Sequence, residues 1–251
     1  WQQIPARLYL GIRKPRRTIL GMELAGDIEA VGKNVTLFQP GDAVLASTFS
    51  VNFGGYAEYK CMPENGKLVR KPANLSYEEA AAVPGGGMTA LGCLEKGNIQ
   101  PGHQVLIYGA SGAVGTNAVQ IARHFGAEVT GVCSTTNLEL VTSLGASHVI
   151  DYTQEDFTER GERYDVVFDA VGKLPPAKGK SVLKPGGTYI NVHKDSGSSE
   201  RIEDLRFVTD LIEAGELRPA IDRTYPFEQI VEAHRYVEQG HKKGNVAITV
   251  S

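Results

Sequence analysis

The sequence predicts an α/β protein in which an amino-terminal β region leads into a doubly wound parallel sheet. Residues 19–70 are rich in glycine and valine and in short apolar alternations, which is typical of antiparallel strands joined by tight corners. From residue 103 onward, short apolar runs alternate with helical segments, which is the rhythm of βαβ units. A glycine-rich turn at 109–115 follows the first of these runs and precedes a helix.

Turn signals divide the amino-terminal region into its elements. Tight turns are expected at 32–34, 40–42 and 53–55. A capping box at 76–79 predicts that a helix starts before the apolar run 80–83. The proline and three glycines at 84–87 are expected to end this helix, and residues 88–96 predict the next one.

The second part of the chain contains the apolar runs of a parallel sheet buried on both faces. The predicted strands are 103–109, 128–133, 148–152, 165–169 and 188–192. An amphipathic helix is predicted over 201–214. The tail, 219–250, returns to strands with one helix around 230–237, and we expect it to rejoin the first part of the chain.

The composition indicates a folded protein with a small-molecule partner. Hydrophobic residues make up 41% and charged residues 22%, and the net charge of −3 gives no reason to expect nucleic acid or an anionic membrane as partner. Cys61, Cys93 and Cys133 form no CxxC pair, which favours a reducing compartment. Without a long apolar run or a signal-peptide pattern, the expected location is cytoplasmic. Because the first residue is Trp1 rather than Met, we expect the native chain to extend further upstream.

The turn at 109–115 predicts a nucleotide-binding site. Its glycines let the chain turn sharply off a strand and approach a pyrophosphate, while the helix that follows points free N–H groups at the phosphates. A tight structural turn without a ligand is the alternative interpretation. The residues expected to contact the nucleotide here are Gly109, Ser111, Gly112, Ala113, Val114 and Gly115.

The end of the second strand of this sheet favours NADP over NAD. A carboxylate at this place would hold the adenosine ribose of NAD, but the sequence has Ser134, Thr135 and Asn137. These polar side chains suit a 2′-phosphate, although no Arg or Lys stands among them to neutralise its charge. NADP is therefore the expected cofactor, NAD stays possible, and the capping of the next helix is the alternative role of these residues.

A series of motifs covers nearly the whole chain, namely 21–26 with 31–32, 40–44, 54–59, 80–84, 109–115, 165–172, 183–187 and 232–236. In this order they resemble the medium-chain dehydrogenase/reductase superfamily, in particular its quinone-oxidoreductase and zeta-crystallin-like branch. The resemblance implies a Rossmann domain, 84–218, inserted in a GroES-like β domain formed by 1–83 plus 219–251. The cofactor is then expected in the cleft between the two domains.

The resemblance also implies cofactor contacts outside the glycine-rich turn. The turn that contains Val171 is expected along the cofactor, and Thr89 is expected near the nicotinamide half, together with His193 at the end of the fifth strand. Tyr152 is expected near the adenosine phosphate, with a buried sheet tyrosine as its alternative role. The tail is expected to close the site with Lys243, Gly244 and Asn245. Many relatives have a basic phosphate ligand where this chain has Asn137, which weakens the case for NADP.

Neither zinc site of the zinc-dependent relatives is expected. Those relatives have a histidine ligand where this sequence has Met22, and a thioether is a poor zinc ligand. They also use four closely spaced cysteines, whereas Cys61 stands alone. Without a metal to polarise a simple ketone, the expected hydride acceptor is a quinone or an α,β-unsaturated carbonyl, which spreads negative charge through its own conjugation. No catalytic acid is identified. The loop that contains Phe49, Phe53 and Tyr56 is expected either to line the cleft or to pack in the core of the β domain.

Other classes of protein fit less well. A short-chain reductase needs a Tyr-x-x-x-Lys pair downstream of the glycine turn, but the only such spacing, Tyr56 to Lys60, is upstream. A methyltransferase needs an acidic residue on the second strand. A nucleotide-binding sensor or structural protein of the same fold stays open, and so does a homodimer. The stretch 194–201 is short where many relatives have a sixth, dimer-forming strand, so either this branch shortened it or a segment is missing.

Overall fold

The amino-terminal alternation of apolar residues forms an antiparallel sheet. The computed structural model describes residues 16, 18–196 and 201–250. The strands have the order β1-β2-β3 and consist of Glu23–Asp27 (β1), Ala43–Ser47 (β2) and Leu68–Arg70 (β3). Before β2, Gly41 has a φ of +88°, which favours glycine, and its N–H donates to the Ile28 carbonyl at 2.8 Å. The predicted antiparallel strands and the turn at 40–42 are confirmed.

Two helices follow this sheet, and the capping box begins the first of them. Tyr77–Ala81 (α1) has Ser76 as its N-cap, whose Oγ accepts from the Glu79 N–H at 3.2 Å. In return, Glu79 Oε2 accepts from the Ser76 N–H at 2.8 Å. The second helix, Pro84–Glu95 (α2), begins at the proline. The prediction that residues 84–87 end a helix is therefore wrong.

The glycine run at 84–87 is a closely packed helix surface instead of a turn. Proline is favoured at the first helical position because its missing N–H has no intrahelical partner there. A Cβ on Gly86 would lie 2.7 Å from the Ala113 carbonyl oxygen. A Cβ on Gly87 would lie 2.8 Å from a methyl carbon of Val208. Tertiary packing thus requires glycines whose local preference is for a turn.

The predicted apolar runs form one parallel sheet with the strand order β6-β5-β4-β7-β8. Its strands are Gln104–Tyr108 (β4), Glu128–Cys133 (β5), His148–Asp151 (β6), Tyr164–Asp169 (β7) and Leu183–Asn191 (β8). Val105 and Ile107 pack into the apolar core on one face, whereas Leu106 packs into a second cluster. The sheet is therefore buried on both faces, as predicted. The last strand begins at Leu183 instead of Thr188, because it continues through its Lys-Pro-Gly-Gly segment.

Helices cover both faces of the parallel sheet. After α2 they are Ala113–His124 (α3), Leu138–Ser143 (α4), Pro176–Ser181 (α5), Val192–Asp195 (α6) and Ile202–Glu213 (α7). The amphipathic helix expected over 201–214 is confirmed as α7, with Arg201 as its N-cap. In α2, the glycines face α3 and α7, which joins the helices on one face of the sheet.

The tail forms strands and one helix, as the sequence predicts. Ile221–Pro226 (β9) and Asn245–Thr249 (β10) pair in parallel, and Ile230–Glu238 (α8) connects them. Both strands contact α1, so the tail lies against the part of the chain that precedes the parallel sheet. Among the described residues, none of the helices combines the length and apolar character that a bilayer crossing requires.

Candidate functional site

The candidate site lies where the direction of strand succession reverses in the parallel sheet. Starting from β4, the chain adds β5 and β6 on one side and then β7 and β8 on the other. The carboxyl ends of β4 and β7 therefore border a crevice, which is where open α/β sheets bind their ligands. The Ala170 N–H donates to the Tyr108 carbonyl at 3.0 Å, so the turns after these two strands are joined directly.

The glycine-rich turn leaves no space for side chains where it approaches its neighbours. Gly109 has a φ of +79°, and a Cβ on it would lie 2.1 Å from a methyl carbon of Val171. A Cβ on Gly115 would lie 2.1 Å from the Gly109 carbonyl oxygen. Glycine is therefore required at both positions, and the turns that contain Gly109 and Val171 are in contact. The sequence placed both residues at the cofactor, and the structure brings them together.

The first turn of α3 begins without a side-chain cap. Its N-cap is Gly112, which has no side chain to accept from the first N–H groups of the helix. Gly244 of the tail pairs with Gly112 at this helix end in a parallel bridge that engages the Ala113 N–H, so the groups left without a cap are the N–H groups of Val114 and Gly115. Such an uncapped N-terminus attracts phosphate through its N–H groups and through the helix dipole.

Asn137 joins the glycine-rich turn to the end of β5. Its side chain is 7% exposed, and its Nδ2 donates to Ser111 Oγ at 3.1 Å and to Ser134 Oγ at 3.0 Å. Among the described residues, its buried Oδ1 has no hydrogen-bond partner. The Asn137 amide could also be oriented the other way round, with its oxygen toward the two serine hydroxyls, because a hydroxyl both donates and accepts. The two hydrogen bonds would then remain, and the amide nitrogen would be the atom without a partner. One buried polar atom at this position thus lacks a partner, which is typical of a site built for a ligand.

A carboxylate does lie beside the end of β5, although it belongs to the neighbouring strand. In the parallel register, Cys133 is opposite Asp151, which is 8% exposed. Its carboxylate accepts from the Thr135 hydroxyl and from the N–H and hydroxyl of Thr153. These bonds, first that from Thr135, lower the pKa of Asp151. The predicted residue Thr135 therefore has its hydroxyl engaged by a carboxylate that the linear sequence did not reveal.

Tyr152 follows β6 and reaches the surface. It is 53% exposed, and its ring centroid lies 6.4 Å from that of Tyr108. The alternative of a buried sheet tyrosine is therefore wrong. Its exposed position leaves the predicted contact with the adenosine end sterically open.

Asp169 is the residue that sequence reasoning missed at this site. At the end of β7 it is completely buried, and its Oδ1 accepts from the N–H groups of Val171 at 3.1 Å and Gly172 at 2.8 Å. Its Oδ2 accepts from the Leu174 N–H at 2.9 Å and from Asn191 Nδ2 at 3.0 Å. Charge-assisted bonds of this kind satisfy a carboxylate without a cation. Asp169 therefore fixes the turn that touches Gly109.

His193 packs on this turn from the end of β8. It lies in the short helix α6 rather than at the end of a strand, and its N–H donates to the Asn191 Oδ1 at 3.1 Å. A Cβ on Gly172 would lie 2.0 Å from the His193 ring. His193 and Val171 are thus part of one assembly. Thr89 lies within α2, half-buried, instead of following a glycine-rich turn.

The tail closes over the glycine-rich turn. The Gly244 N–H donates to the Ser111 carbonyl at 2.7 Å, and Gly244 pairs with Gly112 as an isolated parallel bridge. Lys243 Nζ donates to the Thr136 carbonyl at 3.0 Å. Asn245 instead turns to the tail itself, where its Nδ2 donates to the Ala220 carbonyl at 3.2 Å. The tail thus brings an ammonium group to the end of β5.

The first residue of β1 contacts the start of α2, and through it the β domain reaches the candidate site. Glu23 accepts a hydrogen bond from the Gly85 N–H at the N-terminus of α2. Burial raises the pKa of Tyr56, and the Glu23 carboxylate adds to this shift. Burial also lowers the pKa of Lys242, against the opposing effect of the Asp222 and Glu23 carboxylates. Titratable groups from the β domain and from the tail therefore meet beside the glycine-rich turn.

The other residues considered for the cleft differ in exposure. Phe53 is 8% exposed and belongs to the interior, whereas Phe49 is 48% exposed, and their rings are 5.8 Å apart. Met22, at the position of the zinc ligand in zinc-dependent relatives, is 47% exposed. Within the described part of the chain, no cluster of three His, Cys, Asp or Glu side chains is arranged to hold a metal ion.

Family models match the chain in three segments. The model described as "Alcohol dehydrogenase GroES-like domain" matches residues 3–73, and two models described as "Zinc-binding dehydrogenase" match residues 113–210 and 196–248. A 2-methylene-furan-3-one reductase of Solanum lycopersicum is 36% identical, over 93% of this chain and 64% of its own length. An NADPH-dependent alkenal/one oxidoreductase of Arabidopsis thaliana, a chloroplastic protein, is 32% identical, again over 93% and 64%. The chain thus spans 64% of the length of either relative.

Solved structures share the same fold. The quinone oxidoreductase from Coxiella burnetii superposes with a TM-score of 0.87 at 27% identity, over 99% of this chain and 83% of that one. A Rossmann sheet with a glycine-rich turn, combined with a GroES-like β domain, defines a two-domain dinucleotide-binding protein. The chain belongs to the medium-chain dehydrogenase/reductase superfamily. The fold class and the family expected from the motif series are confirmed.

Proposed function

We propose that this protein is a zinc-independent, NADPH-dependent oxidoreductase that transfers a hydride to a quinone or an α,β-unsaturated carbonyl. The observation that carries this proposal is the contact between the glycine-rich turn and the turn held by Asp169, at the point where the strand order reverses. The names of the similar proteins, an alkenal/one oxidoreductase and a quinone oxidoreductase, support the substrate class.

The residues of the crevice fit a nicotinamide dinucleotide. The glycine-rich turn has no room for a Cβ at either end, and in the first turn of α3 the N–H groups of Val114 and Gly115 have no side-chain cap. Asn137 has one buried amide atom without a partner among the described residues. In this proposal the phosphates lie on the turn, the adenosine ribose lies at the end of β5, and the nicotinamide lies along Val171 and His193. The bound cofactor supplies the hydride.

The chain's own residues orient the reaction and restrict its substrates. Asp169 keeps the Val171 turn in place, while the tail covers the phosphate side through Gly244. Met22 and the isolated Cys61 are a poor donor set for zinc. These two positions therefore do not hold a zinc ion that could polarise a simple ketone, and we infer that conjugated acceptors, which delocalise the developing negative charge, are the preferred substrates.

The division of the chain is part of the proposal. We assign residues 1–83 and 219–251 to the GroES-like domain and residues 84–218 to the Rossmann domain. The contacts of β9 and β10 with α1 support the return of the tail to the first domain. A cytoplasmic location and a homodimer stay predictions.

The proposal is tested by following NADPH consumption with a panel of quinones and enones, in the presence and absence of EDTA. We expect turnover with conjugated acceptors, no loss of activity on chelation, and weaker activity with NADH. Oxidation of simple alcohols that disappears on chelation would contradict the zinc-independent mechanism. Cofactor binding without turnover on any acceptor would favour a nucleotide-binding sensor or structural protein instead.

A further inference from the structure

The end of β5 lacks a positive charge in the sequence, and the tertiary structure supplies one. Residues 134–137 are Ser, Thr, Thr and Asn, which offer hydroxyls and an amide but no cation for a 2′-phosphate. In the folded chain, Lys243 lies 107 positions away from Thr136 in sequence, yet its Nζ donates to the Thr136 carbonyl at 3.0 Å. An ammonium group is therefore anchored beside the expected position of the adenosine ribose.

The backbone on both sides of this ammonium is fixed. The Gly244 N–H donates to the Ser111 carbonyl at 2.7 Å. The Lys243 N–H donates to the Asp222 Oδ2 at 3.0 Å. The lysine thus starts from the rim of the glycine-rich turn and reaches the end of β5, so its position depends on the tail as a whole.

The Lys243 ammonium keeps capacity for a ligand. Of its three protons, one is used by the Thr136 carbonyl, and within the described part of the chain it forms no ion pair. The Thr136 residue that anchors the ammonium through its carbonyl also has its Oγ1 3.4 Å from Ser134 Oγ, so two hydroxyls belong to the same strand end. A phosphate accepts hydrogen bonds from both kinds of donor, and a charge-assisted bond to an ammonium is about twice as strong as a neutral one.

Acidic side chains also lie near Lys243, and some of them are already hydrogen-bonded. A cavity of about 820 Å³ beside Lys243 is also lined by Arg218 and by four acidic residues, Glu78, Glu79, Glu139 and Asp222. Asp222 accepts from the Tyr236 hydroxyl as well as from the Lys243 N–H, and Arg218 donates to the Ser143 carbonyl at 3.1 Å. Glu79 accepts from the Ser76 N–H in the capping box, so Glu78 and Glu139 are the acidic groups whose repulsion of a phosphate the ammonium has to outweigh.

Asp151 does not reverse this preference. Its carboxylate would favour the ribose hydroxyls of NADH if it faced them, but it is 8% exposed. Its two oxygens already accept from Thr135 and Thr153. Its charge is therefore stabilised within the protein, whereas that of Lys243 reaches the end of β5 and forms no ion pair with any residue that the structure describes.

We propose that Lys243 binds the 2′-phosphate of NADPH and sets the preference of this protein for NADPH over NADH. This inference rests on the proposed function, because it requires that the crevice binds a nicotinamide dinucleotide. The cation that selects the cofactor then belongs to the tail and not to the end of β5, where the adenosine ribose is expected to bind.

The test compares the full chain with its Lys243→Met variant by calorimetric titration with NADP⁺ and NAD⁺. Loss of a charge-assisted contact of about 1.5–3 kcal/mol corresponds to an affinity for NADP⁺ that is roughly 10- to 100-fold weaker. We expect the affinity for NAD⁺ to change less than about twofold on the same reasoning. Lys243→Arg should retain most of the preference, and Lys33→Met, which removes a positive charge from an exposed turn, is the matched control.

A second titration separates the 2′-phosphate from the pyrophosphate. Lys243→Met should weaken the binding of adenosine 2′,5′-bisphosphate but not that of 5′-AMP. Equal weakening for both nucleotides, or an unchanged ratio of NADP⁺ to NAD⁺ affinity, would overturn the assignment. If the unsubstituted chain binds neither dinucleotide, the proposed function itself fails. If it binds both but turns over no acceptor, only the enzymatic part of that function fails, and the role of Lys243 is still measured.

Discussion

Replacing Asp169 by Asn removes acceptors from a buried network without changing its shape. Each carboxylate oxygen of Asp169 accepts from two donors other than the Tyr189 hydroxyl, which is a more distant partner at 3.4 Å. An amide nitrogen cannot accept, so whichever oxygen it replaces, two donors lose their partner, which are part-buried at Oδ1 and buried at Oδ2. The two orphaned groups belong either to Val171 and Gly172 or to Leu174 and Asn191.

The cost follows from the number of these donors. A buried donor without an acceptor costs about 1–3 kcal/mol, so two of them destabilise the fold by about 2–6 kcal/mol. For a chain of this size each kcal/mol lowers Tm by about 2–4 °C, which predicts a decrease of roughly 4–24 °C. Because the Val171 turn lies against Gly109, we also expect the NADPH Kd to rise at least about tenfold, equal to about 1.4 kcal/mol.

The assay is thermal unfolding by circular dichroism, together with nucleotide titration below the transition. The matched control is Asp210→Asn, which makes the same chemical change on an exposed residue of α7 and should shift Tm by less than about 2 °C. If Asp169→Asn melts within about 2 °C of the parent and binds NADPH equally well, the hydrogen bonds of Asp169 do not hold the Val171 turn and the reasoning is refuted.

Two further outcomes follow from the packing and from the burial of the thiols. Gly115→Ala places a Cβ 2.1 Å from a backbone oxygen of the same turn, so we expect nucleotide binding to be lost. Gly92→Ala is the control, because a Cβ at this position meets open space, and it should bind the nucleotide normally. Equal affinities of the two variants in the titration would contradict the close approach at Gly115. Burial raises the pKa of Cys93 and of Cys133 to about 11. At pH 8 a thiol-alkylating reagent should therefore label only the exposed Cys61 in the native protein, as detected by mass spectrometry. Labelling of all three cysteines would refute this prediction.

The linear sequence was sufficient where the signal is local or periodic. Two kinds of signal can be read directly along the chain, neighbouring residues and a repeating apolar pattern. They predicted the capping box at Ser76, the strand that leads into Gly109 and the amphipathic helix α7. The glycine run at 84–87 misled this reasoning, because its glycines serve contacts with α3 and α7 rather than a turn.

The charge and hydrogen-bond balance of the candidate site was decided by tertiary structure. The sequence by itself determined the class of fold, the glycine-rich turn and the absence of a carboxylate at the end of β5. Only the fold placed Asp151 beside Thr135, buried Asp169 beneath Val171, and carried Lys243 to Thr136. The physical reason is that hydrogen bonds and electrostatic interactions depend on distance in space, and these partners are brought together by strand register and by the return of the tail.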